Sequence, residues 1–207
     1  MHPSLRACRA LADALGALPG VRLEPAGEIA RFPSLREPEH RAVVAYFHRR
    51  RIADATLDAL EDFVERGGGL LAVHAASASF KESERWRALL GGRFVRHGPI
   101  HRFRIEPSQP ADPIFAGLGP FEVRDELYRH EWTPDARIHF HTEVDGQREP
   151  VVWTREHGHG RVAYVSLGHV AGALRSEPAA EILRRALTWA GNVQSNPTFA
   201  PVSSAAS

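Results

Sequence analysis

Two histidines in this chain follow apolar runs that read as buried strands. His74 comes directly after Leu70-Leu71-Ala72-Val73 and opens a run of small residues, Ala75-Ala76-Ser77-Ala78-Ser79. His169 follows a second apolar run, residues 162–167, and Gly168. Imidazole titrates near neutrality and ligates metals, so rings at strand ends are candidates for proton transfer or metal binding. The small residues behind His74 let backbone and the Ser77 hydroxyl approach a ligand closely, and N–H groups after the turn favour an anionic or strongly polar oxygen. Each ring alone is equally well explained as a strand cap bonded to nearby backbone. Two of them at equivalent strand ends favour a site.

Asp125-Glu126-Leu127-Tyr128 supplies carboxylates. Adjacent side chains of an extended segment point opposite ways, so one acid of the pair faces any given pocket. There it would complete a metal site or orient a general base; a solvated acidic turn is the plainer alternative. His97 and His101, in the loop His97-Gly98-Pro99-Ile100-His101, are further ligand candidates, and Tyr128 and Trp153 are candidates to contact substrate. His139 and His141 share a strand face expected to be half exposed, and His157 and His159 sit at a solvated hairpin tip. His2, His40 and His48 have no context that singles them out. Cys8 falls on the apolar stripe of a helix and is expected to be core.

The elements that must hold these residues follow from periodicity. Leu5, Cys8, Leu11, Leu15 and Leu18 mark a helix stopped by Pro19-Gly20, and Val21-Arg22-Leu23 reads as a short strand. Residues 25–39 are rich in breakers and read as loop. Residues 43–47 are an unbroken apolar strand. Leu57, Leu60, Phe63 and Val64 form a helix ended by Gly67-Gly68-Gly69, and Trp86, Leu89 and Leu90 another, closed by Gly91-Gly92. This alternation predicts a three-layer α/β fold of flavodoxin-like type, a parallel sheet with helices on both faces. After residue 100 the expectation changes to short antiparallel strands at 101–105, 137–142, 151–154 and 161–167, with a tip at Gly158-His159-Gly160. A helix over 179–190 completes a single domain of residues 1–192, and the Ser/Ala/Pro tail 193–207 is expected to be disordered.

Composition sets outer limits. The chain has 207 residues, with 43% hydrophobic and 25% charged, which suits one large globular domain. Its 26 Lys+Arg and 25 Asp+Glu leave +1, so no basic field favours nucleic acid or an anionic membrane. There is no apolar run long enough to span a bilayer. A single cysteine cannot form an intrachain disulfide or a thiolate cage. With no secretory leader pattern, the expectation is a reducing, cytoplasmic compartment.

Taken together, these segments resemble the ThuA (trehalose utilisation) family, a branch of the class I glutamine-amidotransferase-like superfamily. The resemblance runs from about residue 43 to 191. It rests on Phe63-Val64-Glu65-Arg66-Gly67-Gly68-Gly69-Leu70-Leu71-Ala72-Val73-His74-Ala75-Ala76, Leu90-Gly91-Gly92-Arg93-Phe94 and Asp125-Glu126-Leu127-Tyr128. Pro150-Val151-Val152-Trp153-Thr154-Arg155, Gly158-His159-Gly160-Arg161-Val162, Ser166-Leu167-Gly168-His169 and Trp189-Ala190 continue it.

The resemblance implies carbohydrate utilisation, acting on trehalose, a related disaccharide or a keto-glycoside, without a nucleotide cofactor. Amidotransferase relatives place a nucleophilic cysteine at the strand-to-helix elbow; this chain has His74 there, so glutamine hydrolysis through a thioester is not expected. The candidate catalytic set is His74, His169 and Glu126, which would also be the ligands of a divalent metal such as zinc. Ser77, Tyr128, Trp153, His97 and His101 are the candidate substrate contacts. Without metal, the same groups could move a proton at carbon beside a carbonyl. The alternative is a non-catalytic sugar-binding or interaction module. Relatives open with an apolar strand and a Gly/His loop, whereas this chain enters a helix at once. A central strand is therefore expected to be missing or supplied by another segment or by a second copy in a homo-oligomer.

Overall fold

The computed structural model describes residues 3–26, 29, 40–110 and 112–192. In chain order the first half runs α1 (Leu5–Gly16), β1 (Ala42–Ala45), α2 (Asp54–Glu65), β2 (Gly69–Val73) and α3 (Glu84–Leu90). Six strands follow: β3 (Gly92–His97), β4 (His101–Pro107), β5 (Phe121–Asp125), β6 (Tyr128–Trp132), β7 (Arg137–Val144) and β8 (Gln147–His157). Strand β9 (Gly160–Val165) and helices α4 (Ala171–Arg175) and α5 (Glu177–Ala190) end the described chain. Seven strands form one curled mixed sheet, in the order β1-β2-β9-β8-β7-β4-β5, and β3 pairs with β6 in a separate ribbon.

Helices do cover both faces, as the alternation of apolar segments predicts. Strand β2 is buried along its whole length because its side chains divide between two cores. Leu71 and Val73 pack with α1, α4 and α5, whereas Leu70 and Ala72 pack with α2 and α3. A two-sided strand of this kind reads as a continuous apolar run. Parallel pairing, however, is confined to β1, β2 and β9. All other pairs are antiparallel, so the layering is flavodoxin-like only at the β1-β2-β9 end of the sheet. The β8–β9 hairpin turns at Gly158-His159, with Gly158 at φ +59°; a Cβ there would stand 2.8 Å from the Glu65 backbone.

Three local expectations are corrected. Helix α1 buries Ala7, Ala10, Leu11, Ala14 and Leu15, leaving Leu5 80% exposed and Cys8 at the surface. Leu11 and Leu15 do lie on the inner face, but three small alanines complete it and let α1 lie close against α4 and α5, so the buried stripe is turned away from Leu5 and Cys8. Residues 21–23 form no strand. His139 and His141 are buried, because β7 is covered from residue 139 to 142 and carries irregular register beside β8. Most of the segment 25–39 and the tail from 193 lie outside the described residues.

Candidate functional site

Strands β2 and β9 are adjacent and parallel, in a register that pairs Val73 with Val165. Their carboxyl ends therefore open side by side, and the residues that follow them share one rim of the sheet. His74 begins a single 3-10 turn there, and His169 follows Gly168 in the loop after β9. Their rings lie edge to face with centroids 5.6 Å apart. The third component comes from the far edge of the sheet. Because the sheet curls, the end of β5 reaches the loop after β9, and the two acids there separate as adjacent extended residues must. Asp125 turns inward and accepts the backbone N–H groups of Gly168 (2.7 Å) and Val170 (2.8 Å), which flank His169. Glu126 faces the cavity.

Glu126 is the hub. Its carboxylate lies 3.1 Å from His169 Nδ1, 3.0 Å from His97 Nδ1 and 3.8 Å from His74 Nε2. His74 donates from Nδ1 to the Ser166 carbonyl (2.8 Å), leaving an Nε2 lone pair directed toward Glu126. Burial pushes the His74 imidazole down to about 3, the Ser166 carbonyl opposing and the nearby rings of His169, His130 and His97 reinforcing it. At neutral pH it is therefore an uncharged ring with one free donor atom, held by a backbone partner on its other nitrogen, the arrangement of a metal-ligating histidine. Donor atoms of His74, Glu126 and His169 all lie within 4.8 Å of one another. Two imidazoles and a carboxylate around an open position suit zinc or a similar ion, so the residues fit such a group.

The cavity over these groups has a volume of about 250 Å³. Tyr128 forms one wall, its ring 4.1 Å from that of His74, and burial raises its phenol above the usual tyrosine range, with Glu126 and Asp125 reinforcing. It is a permanent hydroxyl donor at physiological pH. Phe94, His48, Lys81 and Ser4 complete the mouth. On the opposite side Tyr46 donates to the Gly168 carbonyl at 2.5 Å, fixing the loop that carries His169.

The structure thus gathers His74, Glu126, His169, His97 and Tyr128, and places the other three candidates elsewhere. Ser77 is buried behind the turn, its hydroxyl 3.2 Å from the His74 carbonyl and 2.7 Å from the Tyr164 hydroxyl. Trp153 is wholly buried, donates to the Leu90 carbonyl at 2.8 Å and stacks on Tyr164. It faces the α2–α3 core because its strand, like β2, is covered on that side. His101 is exposed, its Nδ1 2.9 Å from the Pro99 carbonyl. Sequence reasoning missed Tyr46 and His48. His48 directly follows the apolar run over residues 43–47, a signal for the rim; Tyr46 lies inside that run and reaches the rim because β1 ends at Ala45.

The sequence profile described as ThuA, trehalose utilisation, matches residues 38–190. The chain belongs to this family. Among curated proteins no sequence matches it. Among solved structures, a ThuA-like protein of Bacteroides uniformis is similar with a TM-score of 0.74 and 19% identity, over 88% of this chain and 82% of that one. One from Parabacteroides merdae gives 0.74 and 19%, covering 93% and 86%. A cytoplasmic protein of Salmonella typhimurium gives 0.62 and 12%, covering 91% and 87%. At these identities the likeness establishes the fold.

Proposed function

We propose that this ThuA-family protein is an enzyme of carbohydrate utilisation that acts on a disaccharide or its keto-glycoside form. Its working groups are His74, Glu126 and His169, which also hold a divalent metal of zinc type. The observation that carries the reading is the convergence of their three donor atoms within 4.8 Å, one of them the free Nε2 of a buried neutral imidazole. A bound metal of this type would supply Lewis-acid polarisation of a sugar carbonyl or hydroxyl.

The remaining chemistry belongs to the chain. His74 keeps its ring fixed through Ser166. His97 and His169 both face the Glu126 carboxylate, so a proton can be held or moved at its two oxygens while His97, whose side chain is 45% exposed, connects them to solvent. Tyr128 donates its hydroxyl to a sugar oxygen. The cavity, about 250 Å³, suits one sugar ring at the reacting position with the rest of the substrate directed outward. Glutaminase chemistry forms no part of this reading: His74 occupies the elbow, and Cys8 lies on the surface of α1.

The test is metal analysis and zinc calorimetry on purified protein, followed by turnover assays on disaccharides and their keto forms. One zinc per chain and turnover of a keto sugar are expected. His74→Ala should abolish both while shifting the melting temperature by only a few degrees. Retained turnover in that variant would refute the assignment. Sugar binding without zinc or turnover would identify a binding module instead.

A further inference from the structure

We propose that Tyr164 and Ser77, backed by His130 and Glu149, are positioning residues that hold the His74 turn in its working conformation; this rests on His74 being a metal ligand. The four residues are buried, at 0%, 2%, 6% and 6% exposure, and none of them lines the cavity. Buried polar groups are unfavourable unless each finds partners, so such a cluster needs a reason that an apolar core would not supply.

The partners converge on one atom. The His74 carbonyl oxygen accepts the Ser77 N–H (3.2 Å), and the hydroxyls of Tyr164 (3.0 Å) and Ser77 (3.2 Å) both lie within reach of it, one donating to it directly and the other to its fellow hydroxyl. Ser77 Oγ also lies 2.7 Å from the Tyr164 oxygen, and His130 Nε2 lies 3.1 Å from it. Glu149 anchors the far end, accepting the His130 N–H at 2.9 Å and facing His130 Nδ1 at 3.3 Å and Arg129 Nε at 3.2 Å.

The atom they grip belongs to a residue that does not rest easily. His74 has φ +45°, a left-handed conformation that side chains larger than glycine seldom adopt. Such backbone persists only when its surroundings over-determine it. Here β9 does so twice. Tyr164 of that strand holds the His74 carbonyl, and Ser166 just beyond its end holds the ring nitrogen. With backbone and ring both fixed, Nε2 has one direction left, toward Glu126. Trp153 stacks on the Tyr164 ring at 4.0 Å, so removing the hydroxyl alone leaves the packing in place.

Tyr164→Phe and Ser77→Ala should fold with the parent's circular dichroism yet bind zinc about 10–100-fold more weakly by calorimetry. In the metal-free proteins, the His74 side-chain nitrogen resonances should shift. Thr154→Val, which deletes a buried hydroxyl paired with His139 rather than with this turn, should change neither readout. Parental zinc affinity together with unmoved His74 resonances in both variants would overturn the proposal. If the parent itself takes up no zinc, the metal reading fails, and the resonances of metal-free protein decide the positioning role alone. Should Tyr164→Phe not fold, Ser77→Ala carries the same comparison.

Discussion

Asp125 and Glu126 are neighbours in sequence with opposite duties. Glu126 presents both oxygens to imidazoles, whereas Asp125 spends its own on the amides of Gly168 and Val170. Burial raises the Asp125 carboxyl above the usual carboxylate range, and the amide bonds pull the other way. Asp125→Asn should therefore cost about 1–3 kcal/mol in urea unfolding, since its NH2 would face an N–H donor in a buried place. It should also weaken zinc binding, because the loop holding His169 loses an anchor. Glu126→Gln should leave stability within about 0.5 kcal/mol while removing metal affinity, a split that calorimetry and unfolding together would read. The sequence marks this pair as a candidate and predicts that only one acid faces the pocket. Alternation alone does not tell which, because that depends on where the far edge of the sheet comes to rest; Glu126, the acid in the candidate set, is the one that faces the cavity.

Among the elements, the loop after β9 is closely confined, tied to Asp125 and Tyr46. Gly168 has φ +145°, and a Cβ there would lie 3.0 Å from the His74 Cβ and 3.4 Å from the Tyr46 ring. Gly168→Ala should destabilise the fold by about 1–3 kcal/mol through strain and push His169 away from Glu126. Helix α1 offers the reverse case: Leu5→Glu should be nearly silent, while Ala10→Leu, at a position 1% exposed and packed against neighbouring helices, should cost about 1–3 kcal/mol by overpacking. These elements also show what a single chain discloses. Apolar runs at residues 43–47 and 70–73, and the helical spacing of Leu57, Leu60, Phe63 and Val64, fix strands and helices because burial on one or both faces writes itself into periodicity. The inner face of α1 is legible at Leu11 and Leu15 and hidden at Ala7, Ala10 and Ala14, because alanine is apolar enough to bury and too small to stand out. Trp153 is the opposite case: its bulk reads first as packing, and the structure places it in the α2–α3 core and not at the cleft mouth that its neighbours Thr154 and Arg155 suggest. The antiparallel strands after residue 100 are legible from the turn signals between them, whereas the parallel pairing of β9 with β2 rests on long-range contacts that periodicity does not carry.

For the molecule as a whole, several buried imidazoles make folding sensitive to acid. Burial pushes His139 down to about 4, with Asp112 opposing and Arg137 reinforcing, and it lowers His130 and His141 as well. In the unfolded chain these rings gain protons near pH 6.5, whereas in the folded one they remain neutral to lower pH. The unfolded state therefore binds protons first, and stability present above pH 6.5 is lost as pH falls toward 4. For His139 alone the loss amounts to at most about 3 kcal/mol. Urea midpoints measured across that range should fall in the parent and fall less steeply in His139→Gln. An unchanged slope would exclude His139 as a contributor.

Among the described residues no helix is long and apolar enough to cross a membrane. The largest organising fact is the curl that brings β5, at one edge of the sheet, against the loop leaving β9 near its middle. A cation gripped jointly by Glu126 and the two imidazoles would act as a clasp between segments more than forty positions apart in the chain. Occupancy would then tighten the curl of the sheet, adding about 2.7 kcal/mol at a hundredfold excess over the dissociation constant. Chelation would loosen it, so that the melting profile itself becomes a gauge of how full the clasp is.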